Sequence, residues 1–184
     1  LNDLPLAEES FRRALAISPK AASVQHNYGW FLCQNSRLPE AMQLFGSALA
    51  NPAYGDKAKT WMAQGLCQQR GGQLADAEIS LQRAYELDAG NPITAYNLAS
   101  MLFQRGEFVR AQFYVRRLNN SELANAESLW LGIKVERRLA NSDAMLQLGG
   151  QLKKRFAQSR EFAAYERGAV NEWCGHGGRR VGVG

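Results

Sequence analysis

Long apolar runs are missing from this sequence. No stretch approaches the ~18 residues that a membrane-spanning helix needs, and no targeting leader is recognisable. The chain opens at Leu1 rather than at a methionine, so further sequence is expected upstream. Among 184 residues there are two histidines and three cysteines. His26 has no cysteine or acid at ligand spacing, and Cys174-Gly-His176 supplies too few ligands for a zinc site. A glycine-rich phosphate loop, an H-E-x-x-H pair and a nucleophile elbow are all absent. Carboxylates such as Glu8 and Glu9 are spread over surfaces rather than paired for acid–base work. The chain therefore reads as non-enzymatic, with no cofactor and no metal. A strong excess of one charge is missing too. The net charge is +5, and apart from Lys153-Lys154-Arg155 and Arg179-Arg180 the basic residues are mixed with acids. That argues against a nucleic-acid footprint, which needs a basic stripe on one face.

What is present is an ordinary apolar fraction of 46% and a repeat. A chain of this size buries roughly 70% of its unfolded surface and needs no staples to hold a core. Alanine followed four residues later by a large apolar residue recurs as Ala7 and Phe11, Ala41 and Phe45, Ala77 and Leu81, Ala111 and Val115, and Ala144 and Leu148. The alanines are spaced 34, 36, 34 and 33 residues apart. A small residue, Gly29, Gly65, Ala99 or Gly132, stands twelve before each of the last four alanines. Another, Ala14, Ala48 or Ala84, stands seven after each of the first three.

This pattern resembles the tetratricopeptide repeat, a helix-turn-helix unit of 34 residues. One repeat contributes Tyr28-Gly29, Leu32, Ala41, Phe45 and Ala48. The next contributes Trp61, Gly65, Ala77, Leu81 and Ala84. Leu98-Ala99, Leu102 and Ala111 mark a third, and Leu131-Gly132, Val135 and Ala144 a fourth. The first repeat is truncated to Ala7, Phe11, Ala14 and Pro19. Leu118 and Gln151 depart from the pattern where a small residue is usual. The resemblance implies an all-α right-handed superhelix of about five repeats with a C-terminal capping helix. The expected repeat domain is 1–170, followed by a glycine-rich tail, 171–184, expected to be disordered. Glycine inside a helix costs about 1 kcal/mol relative to alanine. Here it lets paired helices approach closely, so Gly29, Gly65 and Gly132 are expected buried opposite Ala41, Ala77 and Ala144. Gly29→Leu should overpack by about 1–3 kcal/mol. Asn91-Pro92 and Ser36 with Pro39 read as helix starts, and Gly71-Gly72 and Gly106 as turns.

The resemblance also implies a groove lined by the first helix of each repeat. Its positions fall on Trp30, Lys59, Met62, Leu66, Ile93, Tyr96, Phe103, Leu129 and Ile133, with Arg70 and Glu136 among the polar ones. An exposed apolar concavity marks a protein-partner site; the competing expectation is that the C-terminal helix folds back and fills part of it. Cys33 and Cys67 lie on the first helices of adjacent repeats. They read either as a disulfide staple or as two buried thiols, and the redox compartment decides between them.

Finer blocks narrow the resemblance. "NYGWFLCQN", "AMQLFGSAL", "NPAY", "GLCQQRGGQLADAEISLQRA" and "SLWLGIKVERRLAN" resemble the type IV pilus biogenesis and stability lipoproteins, the PilF/PilW pilotin family. That resemblance implies the periplasmic face of the outer membrane, reached through a lipid anchor upstream of Leu1. It also implies a protein partner in the pilus machine, most naturally the secretin. A cytosolic adaptor or chaperone cofactor binding peptide segments is the alternative, with Lys59 and Arg70 as an incomplete carboxylate clamp.

Overall fold

The computed structural model describes residues 4–168; the expected glycine-rich tail lies outside them. Ten helices and no strand occur among the described residues. They are α1 (Leu4–Ile17), α2 (Ala22–Gln34), α3 (Leu38–Ala50), α4 (Lys57–Arg70), α5 (Leu74–Leu87), α6 (Pro92–Gln104), α7 (Phe108–Asn119), α8 (Ala126–Arg138), α9 (Ser142–Phe156) and α10 (Arg160–Glu166). The chain divides into two compact units, Leu1–Asn97 and Leu98–Gly184, with the border inside α6.

In the first unit each helix from α1 to α5 packs on the next, and α2 also touches α4. This is the consequence of amphipathic helices joined by short turns: each buries its apolar stripe on its neighbour. The core holds Tyr28, Leu32, Cys33, Ala41, Phe45, Ala63 and Cys67. The partial first repeat, α1, has no buried residue of its own and docks by a few side chains. The Phe11 ring stacks on Tyr28 at 5.1 Å, and Glu8 accepts from the Tyr28 hydroxyl at 2.8 Å and Arg37 Nη1 at 2.7 Å. Arg37 and Tyr28 hold the Glu8 carboxyl below the usual carboxylate value.

The second unit is built on α8, which packs between α7 and α9, with α10 laid against α8 and α9. Its local signals are explicit. Asn125 and Ser128 close a capping box at the start of α8. Asn141 Oδ1 accepts from Ala144 N, and Ser159 Oγ from Phe162 N, at the starts of α9 and α10. Each satisfies a backbone donor that the helix cannot.

The turn inside each repeat has one geometry. Ser36, Gly72, Gly106 and Ala140 all have positive φ, between 56° and 80°. After each, the next residue's N–H returns to the carbonyl five positions earlier: Arg37 to Leu32, Gln73 to Gln68, Glu107 to Leu102, and Asn141 to Glu136, at 2.8–2.9 Å. This six-to-one bond is the Schellman closure. Gly72 and Gly106 stand at the expected turns. Ser36 does not start a helix: it is the left-handed turn residue, and Pro39 sits in the first turn of α3. Asn91 does cap α6, its Oδ1 accepting from the N–H groups of Ile93 and Thr94.

The small residues sit where helices cross. A Cβ on Gly29 would stand 2.9 Å from Phe45 Cε1 and 3.3 Å from the Ala41 carbonyl. One on Gly65 would stand 2.7 Å from Leu81 Cγ and 3.1 Å from the Ala77 carbonyl. Ala41, Ala77, Ala99 and Ala111 are fully buried. Gly132 is buried as expected, but Ala144 is not what stands against it. Its nearest neighbours are Asn119 Nδ2 at 2.5 Å and Leu148 Cδ1 at 3.1 Å, because α7 inserts the Asn119 amide there. Ala144, its expected opposite, is only half-buried.

Candidate functional site

In the first unit the candidate surface lies on α2 and α4, the leading helices of two neighbouring repeats. Trp30 is half-buried, packed against the core cluster on one side. The Arg70 guanidinium lies over its ring, 5.3 Å from the centroid. Met62 and Leu66 are half-buried on α4 and Lys59 is exposed. The result is an apolar strip with cations at its edges, an arrangement that can take an apolar side chain and also meet an acidic group. Ile93 is 50% exposed and Tyr96 half-buried on the first turns of α6.

Under this strip the α2–α4 contact is polar as well as apolar. His26 is buried and its Nδ1 lies 2.9 Å from Thr60 Oγ1, which also meets the Tyr54 hydroxyl at 3.0 Å. Burial pushes the His26 imidazole below its usual value, Lys59 adds to that, and Asp56 opposes it. Two turns on, Cys33 and Cys67 face each other across the two helices with Cα atoms 5.9 Å apart, inside the usual range for a disulfide. Sequence reasoning placed the two cysteines on adjacent helices. It missed the Thr60 hydroxyl as the partner of His26, since nothing in the spacing distinguishes it.

In the second unit the expected groove positions fare differently. Phe103 is half-buried, its ring 5.6 Å from that of Phe108, with Lys134 Nζ 5.4 Å from its centroid. Leu129 and Ile133 are not available to a partner. Both have no exposed surface and belong to a core with Trp130, Leu152 and Phe162. The reason is α10, which folds onto α8 and α9 and brings Phe162 over them. Glu136 is likewise inside, 1% exposed. It accepts from Arg116 Nε at 2.6 Å and Nη2 at 3.1 Å, Gln112 Nε2 at 2.9 Å and Asn141 Nδ2 at 3.1 Å. Four donors around one carboxylate hold α7, α8 and the turn that leads into α9 in register. Among the described residues no cluster of three His, Cys, Asp or Glu could hold a metal, and no helix is long and apolar enough to cross a membrane.

Paired helices of this length, closed by one repeated turn and packed through small residues, define a tetratricopeptide repeat protein; a tetratricopeptide repeat family model matches residues 1–58. Solved structures narrow the class. The chain is 33% identical to PilW, described as a widely conserved type IV pilus biogenesis factor, over 87% of this chain and 74% of that one, with a TM-score of 0.74. Against the structure of Pseudomonas aeruginosa PilF it is 29% identical, covering 89% of this chain and 74% of that one, with a TM-score of 0.76. The curated type IV pilus assembly protein PilF of Pseudomonas aeruginosa is 29% identical over 161 residues, which are 88% of this chain and 64% of the relative's length. The chain belongs to the PilF/PilW family of type IV pilus biogenesis proteins.

Proposed function

We propose that this chain is a non-enzymatic docking scaffold of the type IV pilus machine, assisting assembly or localisation of the secretin, or stability of the fibre. It works at the periplasmic face of the outer membrane, and the partner docks on the leading-helix face of the first unit. Family membership supports the pilus role. The observation that carries the site is Trp30, held half-buried by the core and covered by Arg70, beside Met62 and Leu66. Aromatic and arginine anchors in such settings dominate binding energies. Trp30, Met62 and Tyr96 are the proposed anchors of that face; Phe103, in the second unit, is a separate proposed contact and not part of it. The close pair Cys33–Cys67 supports an oxidising compartment, where it forms a disulfide. A cytosolic adaptor would keep both thiols reduced.

The test is co-purification from an envelope extract of a piliated bacterium with this chain as bait, read by mass spectrometry. Secretin or another pilus component is retained by the wild-type chain and lost with Trp30→Ala, while far-UV circular dichroism is unchanged. Retention by the variant would move the site off Trp30. Cytosolic chaperones with no pilus component would overturn the role.

A further inference from the structure

The positive charge of this chain is unevenly placed. Residues 1–97 carry eight Lys and Arg against nine Asp and Glu, while residues 98–184 carry fourteen against eight. The whole excess therefore belongs to the second unit. Within that unit α7 has three arginines and no acid. Its Ala111, Val115 and Leu118 turn into the core. The residues left exposed on α7 and its C-cap are Val109, Arg110, Phe113, Arg116, Arg117 and Asn120. At about 100° per residue they fill an arc of about 120° with Phe113 at its middle. Arg110 and Arg117 flank it on one side, Val109 and Arg116 on the other. Val109 is 71% exposed and Phe113 60%, and a spacing of four makes them one patch. The Tyr114 ring meets Phe113 edge-on at 5.1 Å and extends that patch. Glu107 pairs with Arg105 and Arg110, and Glu136 with Arg116. Four arginines thus stand with two carboxylates around α7, and the face keeps a positive excess. On the neighbouring α9 the same composition continues. Arg116 and Asn120 share one cleft with Gln147 and Gln151 of α9. Leu146, beside Gln147, is 67% exposed, and Lys153 and Lys154, past Gln151, are exposed as well.

We propose that the solvent face of α7, flanked by α9, rests on an anionic phospholipid surface. Phe113 and Val109 enter the boundary between headgroups and acyl chains, and the arginines around them meet lipid phosphates. An apolar centre ringed by cations matches both layers of such a surface. Nucleic acid would use the arginines but leave Val109, Phe113 and Leu146 without a partner. A second copy of the chain is disfavoured by charge, because a two-fold contact centred on Phe113 would set arginines against arginines. The Trp30 surface belongs to the other unit and takes no part. The biological use of this contact rests on the periplasmic-face reading above, whereas the vesicle assay below involves no pilus component and reads the α7 face alone.

The test is co-sedimentation of the full chain, with no lipid attached to it, with two sets of vesicles. One is phosphatidylcholine and phosphatidylglycerol in equal parts, the other phosphatidylcholine alone. Saturable binding is expected to the anionic vesicles only, weakening as salt is raised. Arg117→Gln should lower the partition coefficient about fivefold, the loss of one cation near the surface. Phe113→Ser should lower it about fivefold or more. Both positions are exposed, so far-UV circular dichroism and the urea midpoint should stay at wild-type values. Lys20→Gln, an exposed position in the first unit, makes the same change in net charge and should leave binding unaltered. A short DNA duplex, a polyanion with no apolar layer, is titrated in parallel. No binding to the anionic vesicles overturns the proposal, and so does equal binding to the neutral ones. A Phe113→Ser variant that binds like wild type removes the inserted face. Weakening by Lys20→Gln equal to that by Arg117→Gln, or tighter binding to DNA than to vesicles, would show attraction to any polyanion and also overturn it.

Discussion

Two glycines, both inside helices, should respond to the same substitution with opposite signs. Gly46 lies in α3, exposed, and a Cβ there meets nothing within 4 Å. Gly46→Ala therefore expresses only the helix-propensity gain, about 1 kcal/mol. For a chain of this length that raises the melting temperature by about 2–4 °C. Gly65 lies in α4, buried, and its Cβ would stand 2.7 Å from Leu81 Cγ and 3.1 Å from the Ala77 carbonyl. Leu81 is fully buried and the contact is at its branch point, so neither neighbour can swing aside. The same propensity gain is then opposed by an overpacking cost of about 1–3 kcal/mol. Subtracting the two variants cancels propensity and leaves that cost alone. The assay is urea unfolding of wild type and both variants, followed by circular dichroism at 222 nm at one pH and salt concentration. If Gly65→Ala stabilises as much as Gly46→Ala, the close crossing of α4 and α5 is not what keeps position 65 free of a side chain.

Further outcomes follow from single contacts. Purified without reductant and then denatured, the chain should show one reactive thiol, Cys174, and Cys33→Ser should cost about 3–4 kcal/mol through the lost 34-residue loop closure; three thiols would refute the pairing. His26 has a depressed pKa in the folded state, so below its ordinary value of 6.5 the unfolded chain takes up the proton first. Stability present above pH 6.5 is thus lost on acidification through the folded value, and His26→Gln should flatten that part of the urea-midpoint profile between pH 7.5 and 5. Ala140→Gly should stabilise by about 1 kcal/mol, because a side chain at positive φ is strained and glycine is not; a lower urea midpoint for the glycine variant would contradict this.

Much of the fold was written in short-range pattern. Repeated alanine and glycine spacing marked the helix pairs, because backbones that cross closely admit only small residues at the crossing. Asn91 and the turn glycines were legible because each supplies a local need, a donor acceptor at a helix start or a left-handed φ. Ser36 misled for the same reason: serine at a helix start and serine in a left-handed turn look alike until the backbone is seen. The groove was only partly legible. Repeat register marked Leu129 and Ile133 as surface positions, yet register cannot say whether another element will cover them.

Sequence alone thus determined the helical class, the repeat period, the family and the adjacency of Cys33 and Cys67, all of which rest on residues a fixed number of positions apart. Tertiary structure decided what periodicity does not encode. It placed α10 over α8 and α9, put Arg70 on Trp30 and drew four donors around Glu136. Those outcomes depend on which side chains from distant parts of the chain reach the same volume, and only packing selects among the many that could.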